Sequence, residues 1–160
     1  MSRTKRLLLK FLFVIFSIIL GYVTPLPIFG QTVSQDEIVA YTHETLQSAP
    51  YNMEYIILNV IFKESRFKPD AVSVDGRCKG LTQINPSFHD IDDPFNYKEN
   101  IDCCASYLEQ KIEEYDSPPL ALMCWNMGED KALNYYNKYG SSKYAKDILK
   151  YSNEKEVMNE

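Results

Sequence analysis

The 160-residue chain lacks the signatures of several common site types: it has no Gly-rich phosphate loop, no nucleophile elbow, no internal repeat and no low-complexity tract. Neither a phosphate cradle nor serine-nucleophile chemistry therefore has a motif to rest on. Histidine is limited to His43 and His89, and no Cys-x-x-Cys pair occurs, so a structural zinc site has no ligand framework and no metal is expected. Alternating runs of β-branched residues are few, while apolar residues recur at spacings of three and four, which predicts an all-α class. The length is that of one domain, large enough for a single hydrophobic core. Basic groups are also in deficit. Residues 1–30 hold four of the 17 and no acidic group, so the remainder carries 13 basic against 22 acidic residues, a net charge of −9. That balance argues against nucleic acid as a partner.

What is present begins with an export-like segment. Arg3, Lys5, Arg6 and Lys10 precede an apolar run, Phe11 to Val23, broken only by Ser17 and Gly21. The run suits the apolar region of a signal peptide better than a full span, which needs ~20 residues. Gly30 is the best small residue for cleavage, giving a start at Gln31, and an uncleaved N-terminal anchor is the rival reading. Both place the domain outside the cytoplasmic membrane, secreted, periplasmic or on the envelope. Cys78, Cys103, Cys104 and Cys124 would then meet a non-reducing environment and could form two disulfides in three connectivities; the alternative leaves Cys104 and Cys124 as small core residues.

The chain is organised around Asn59 to Pro86. Glu64 lies seven, four and three residues after Ile57, Val60 and Ile61, on the packing face of one predicted helix. Partial burial and the negative end of the helix dipole both favour its neutral form, which suits a general acid near neutral pH. Pro69 then stops the helix, and residues 68–83 form a loop in which Gly76 and Gly80 permit unusual backbone angles.

From Glu64-Ser65 the order is E-S-x-F-x-P-x-A-x-S-x-x-G-x-x-x-G-L-x-Q-I, ending at Gln83-Ile84. Later come Asp93-Pro94, Asn100-Ile101 and Tyr107-Leu108, then Cys124-Trp125-Asn126-Met127-Gly128, then Ser141 with Tyr144. These four blocks, over about residues 53 to 151, together resemble the catalytic domain of the SLT-type lytic transglycosylases, lysozyme-like enzymes that cleave peptidoglycan and are related to goose-type lysozyme. The resemblance implies a lysozyme-like helical domain over 31–152, Glu64 as the catalytic residue, and Ser65, Gln83, Trp125, Asn126 and Tyr144 as substrate-binding residues. It implies peptidoglycan glycan strands as partner, no cofactor, and a monomer. The setting could be wall remodelling, a secretion or conjugation machine, or a phage. With so acidic a domain, wall contact should come from a shaped groove rather than charge. The chain departs from the family pattern at Thr82, where Met is usual and sugar packing would differ, at Cys104 and Cys124, where Gly and Ala are usual, and at Trp125, which lacks the usual tyrosine hydroxyl.

Local signals place the remaining elements. Ser34 and Glu37 have capping-box spacing before a first helix through Leu46, with His43 on its surface. Asn52 is the expected N-cap of a helix over 53–66, and Asn85-Pro86 that of a short helical turn through His89. His89 stands among Asp90, Asp92 and Asp93, a set that could hold a metal, although the resemblance gives Asp93-Pro94 a turn role. Residues 97–115 form the longest helix, with Ile101, Cys104, Ala105, Leu108, Ile112 and Tyr115 inward and Glu109, Lys111, Glu113 and Glu114 outward. Helices over 120–127, 130–139 and 142–151 follow, and 153–160 reads as a polar tail. Trp125 beside Asn126 suits a sugar, the ring covering a pyranose face and the amide bonding a hydroxyl or N-acetyl group. Glycosidases usually need two carboxylates. Only Glu64 has a catalytic context, with Asp70, Asp75 and Asp90 as unassigned seconds. Hydrolysis as in a goose-type lysozyme and an inactive wall-binding scaffold are the alternatives.

Overall fold

The computed structural model describes residues 33–157, with side chains to Lys150; the signal or anchor read at 1–30 lies outside the described residues. Within them the chain forms six α-helices and no strand: α1 (Gln35–Leu46), α2 (Met53–Glu64), α3 (Tyr97–Tyr115), α4 (Pro118–Met127), α5 (Glu129–Tyr139) and α6 (Lys143–Val157). The last helix extends past the expected end at 151, into the segment read as a tail.

Helix α1 starts on the capping box. Glu37 N–H donates to Ser34 Oγ at 3.2 Å, and Ser34 N–H donates to Glu37 Oε2 at 2.8 Å. Ser34→Ala should destabilise the domain by about 1 kcal/mol in urea unfolding, the usual cost of a lost N-cap. Asn52 is different from expectation. It sits in left-handed conformation, φ 53°, and its side chain caps nothing, because a 3-10 turn over Pro50–Asn52 delivers the chain into α2. The residue pair Asn85-Pro86 likewise opens an Asx turn, with Ser87 N–H on Asn85 Oδ1, and no helix follows.

Helix α4 is the hub. Leu120 to Cys124 are all buried, five in succession, which is possible only for a helix covered on every side. It packs between α3 and α5 and also against α6, while α2 packs against α1 and α6. Ile38, Ile57, Val60, Ile61, Ile101, Leu108 and Leu122 join in one core. Along α3 the inward stripe matches the apolar spacing, with one correction. Lys111, expected on the wet side, is only 8% exposed. Its Nζ donates to Glu114 at 2.8 Å and to Glu129 at 2.9 Å, so its apolar stem is buried while its charge is paired.

The long connection between α2 and α3 has no helix, and its backbone is pinned instead by antiparallel bridges Val72–Lys79 and Lys79–Ile84. A connection of this length in a small domain is commonly functional. Helix α2 ends at Glu64, two residues earlier than expected, because Arg66 and Phe67 both turn left-handed.

Candidate active site

A groove of about 980 Å³ runs beside the end of α2, and Glu64, Gln83, Trp125 and Asn126 all line it. Four of the six residues singled out from sequence thus come together. Glu64 arrives from α2, where Ile57, Val60 and Ile61 on its face are completely buried. Burial raises its carboxyl above the ordinary glutamate range, and the Tyr144 hydroxyl, then Lys63, pull part of that shift back.

Tyr144 and Ser65 are not in the groove wall. Packing of α6 on α2 brings Tyr144 to Glu64, and burial, then the Glu64 charge, push its phenol far above its usual value. The two groups are neighbours, but no hydrogen bond joins them. Among the described residues Tyr144 Oη is the buried side-chain polar atom without a partner. Ser65 is buried, and its hydroxyl donates back to the Ile61 carbonyl at 3.1 Å, which commits it to the helix end rather than to a ligand.

Gln83 is held at φ 53°. Its Nε2 donates to the carbonyls of Gly80 at 3.0 Å and Ala71 at 3.2 Å, so Oε1 is the group offered to a ligand. Trp125 donates its indole N–H to the Thr82 carbonyl at 3.2 Å. Its ring packs on His89, 4.8 Å between centroids, and edge-on to Tyr107 at 5.4 Å. His89 and Tyr107 also meet each other at 5.0 Å and line the groove. His89 was not identified as a groove residue from sequence, where it stood out only for its aspartate neighbours. Burial lowers its imidazole below the usual value, which keeps the ring neutral at neutral pH. Among the described residues no set of three His, Cys, Asp or Glu is arranged to hold a metal. Asp93, from the supposed metal set, accepts from Phe95 N–H in a turn.

Of the other carboxylates, Asp75, Glu129 and Asp130 line the groove, and Asp90 lines a smaller cavity of about 630 Å³ that shares Phe88, His89 and Tyr107 with it. Asp70 lines neither. Asp75 is paired with Arg77 at 2.6 Å. Glu129 accepts from the Tyr115 hydroxyl and from Lys111, which hold it below the usual glutamate range.

All four cysteines are free thiols, Cys78 and Cys103 half-buried, so the disulfide reading gives way to that of Cys104 and Cys124 as core residues. Cys104 and Cys124 are buried, and burial pushes the Cys104 thiol far up and Cys124 up to about 11. Thr82 is completely buried rather than in the groove wall, so it does not touch a sugar there. Its hydroxyl instead neighbours the Cys104 thiol, so two positions that depart from the family pattern are in contact beneath the site.

A model of the Transglycosylase SLT domain matches residues 43–148, a span that contains every residue discussed for the groove. No curated protein and no solved structure matches the chain significantly. The half-buried glutamate closing α2, the amide and indole across the groove, the all-helical lysozyme-like frame and this match over about two thirds of the sequence agree: the chain belongs to the Transglycosylase SLT domain family, a family of peptidoglycan lytic transglycosylases.

Proposed function

We propose that the domain cleaves the β-1,4 bond between MurNAc and GlcNAc without water, with Glu64 as acid and then base. The observation that carries this reading is a carboxyl that ends a helix in partial burial, which raises its hold on a proton, yet lines a groove large enough for a glycan. Glu64 donates its proton to the linking oxygen, and the bond from that oxygen to MurNAc C1 breaks. Positive charge develops at C1, where the N-acetyl oxygen of the same sugar supports it. The carboxylate then takes the proton of the MurNAc 6-hydroxyl as that oxygen bonds C1, which closes a 1,6-anhydro ring and restores the acid. Gln83 Oε1 and Asn126 supply polar contacts, and Trp125 a face for the pyranose. The Tyr144 hydroxyl, unpartnered beside the carboxyl, can rotate to donate to it.

A hydrolytic route needs a second carboxylate to hold water. Of the other carboxylates that line the groove, Asp75 and Glu129 are each tied to a cation and poorly suited to that task, which leaves Asp130 as the second carboxylate a hydrolytic route would use. Export through the N-terminal segment would place the domain with its polymer, beside whichever envelope assembly requires local opening of the wall. Mass spectrometry of the products released from purified sacculi tests the reading. Anhydro-MurNAc ends, one water lighter than hydrolysis products, are expected; reducing MurNAc ends would establish the goose-lysozyme alternative, and no release at all would favour the scaffold.

A further inference from the structure

Outside the groove wall lies a hydrogen-bond system that nothing in the mechanism uses. Asn100 on α3 is completely buried. Its Oδ1 accepts from the Thr82 N–H at 2.8 Å and from the Thr82 hydroxyl at 2.7 Å. Its Nδ2 donates to the carbonyls of Pro94 at 2.9 Å and Lys79 at 3.2 Å. One amide therefore ties the middle of the α2–α3 connection, at Lys79 and Thr82, and its later part, at Pro94, to the core, and every polar atom of that amide is engaged. A buried network so fully satisfied is rigid and specifies one arrangement.

The free end of this system is the Thr82 carbonyl, which takes the Trp125 indole N–H. We propose that Thr82, clamped by Asn100, is a positioning residue that fixes the plane of Trp125 for the sugar. The argument is geometric. An aromatic ring on the last turn of a helix can rotate about its side-chain bonds, and His89 and Tyr107 limit that rotation by contact alone. The indole hydrogen bond supplies direction, and it is only as fixed as its acceptor. Two donors from one residue to one buried oxygen immobilise that acceptor, whereas the backbone N–H alone would leave one bond in place of two. The inference rests on the reading that the groove holds a glycan strand.

Trp125 is the single tryptophan of the chain, so its emission reports the clamp without interference. Thr82→Val removes the hydroxyl and keeps the shape, and Thr82→Ser restores the hydroxyl. In the ligand-free protein, Thr82→Val should shift Trp125 emission to longer wavelength and increase its quenching by acrylamide, with Thr82→Ser close to wild type. With soluble uncrosslinked glycan strands, Thr82→Val should raise KM by roughly threefold to tenfold, the value of one hydrogen bond, and leave kcat within about twofold. Unchanged emission and quenching, or a Ser variant that behaves like Val, overturns the clamp. A changed emission with unchanged KM overturns its positioning role. Failure of the wild-type protein to bind the strands overturns instead the functional reading beneath it, while the ligand-free fluorescence still decides the clamp. Far-UV circular dichroism on each variant excludes unfolding as the source of a changed emission.

Discussion

Glu64→Gln is expected to cut muropeptide release by about 10³-fold, within the range for loss of a general acid, and at the same time to make the domain more stable at neutral and alkaline pH. The two effects share one cause. Burial disfavours the charged carboxylate, so the folded state holds the Glu64 proton to a higher pH than the unfolded chain does. Between the unfolded and the raised folded value the native state binds the extra proton, and stability therefore falls as pH rises through that interval. Above it the native state carries the full cost of a buried charge. Glutamine is neutral at every pH and nearly the same shape, so it removes that cost. The gain in thermal midpoint should be largest above the interval and vanish below the unfolded value, where wild type is itself neutral. Activity follows the same titration, declining as pH rises through the raised value because the acid is lost. Release that survives the substitution would end the catalytic assignment of Glu64, and a stability gain independent of pH would end its account by burial.

Gly80→Ala should cost about 3–5 kcal/mol, in the range of severe steric substitutions. Gly80 has φ +74°, and a Cβ there would lie 2.2 Å from the Pro94 carbonyl oxygen and 2.4 Å from Asn100 Nδ2. The first of these is backbone and the second a buried amide with both hydrogens committed, so neither can yield cheaply. Relief would have to move the loop that carries Thr82 and Gln83, and the loss of activity should therefore accompany the loss of stability. Gly76 supplies the control. Its φ is also +74°, but nothing lies within 4 Å of the added Cβ. Gly76→Ala should then cost only the left-handed backbone, about 1–2 kcal/mol. Urea unfolding of the two variants side by side isolates the steric share, and equal losses would refute it.

The frame was legible in the sequence where one local rule governs a residue. Spacings of three and four placed Ile57, Val60 and Ile61 under Glu64, and the Ser34 capping box set the start of α1, because both patterns act within a few residues. The likeness to the family brought Gln83, Trp125 and Asn126 to one groove across chain separations that periodicity cannot bridge. Errors fell where a distant partner decides. Lys111 reads as a surface residue until Glu129, 18 residues on, is folded against it. His89 belongs to an unpatterned segment, and only the approach of α3 and α4 turns its ring onto Tyr107 and Trp125. Ser65 adjoins Glu64 in sequence, yet a helix end turns the two side chains to different neighbours.

The unpaired thiols carry a last consequence. A domain whose core closes on Cys104 and Cys124 as plain apolar groups owes no part of its fold to oxidation, and so needs neither an oxidant nor a disulfide isomerase to assemble. Its native packing should therefore be indifferent to added reductant, which equal thermal midpoints with and without a reducing agent would check.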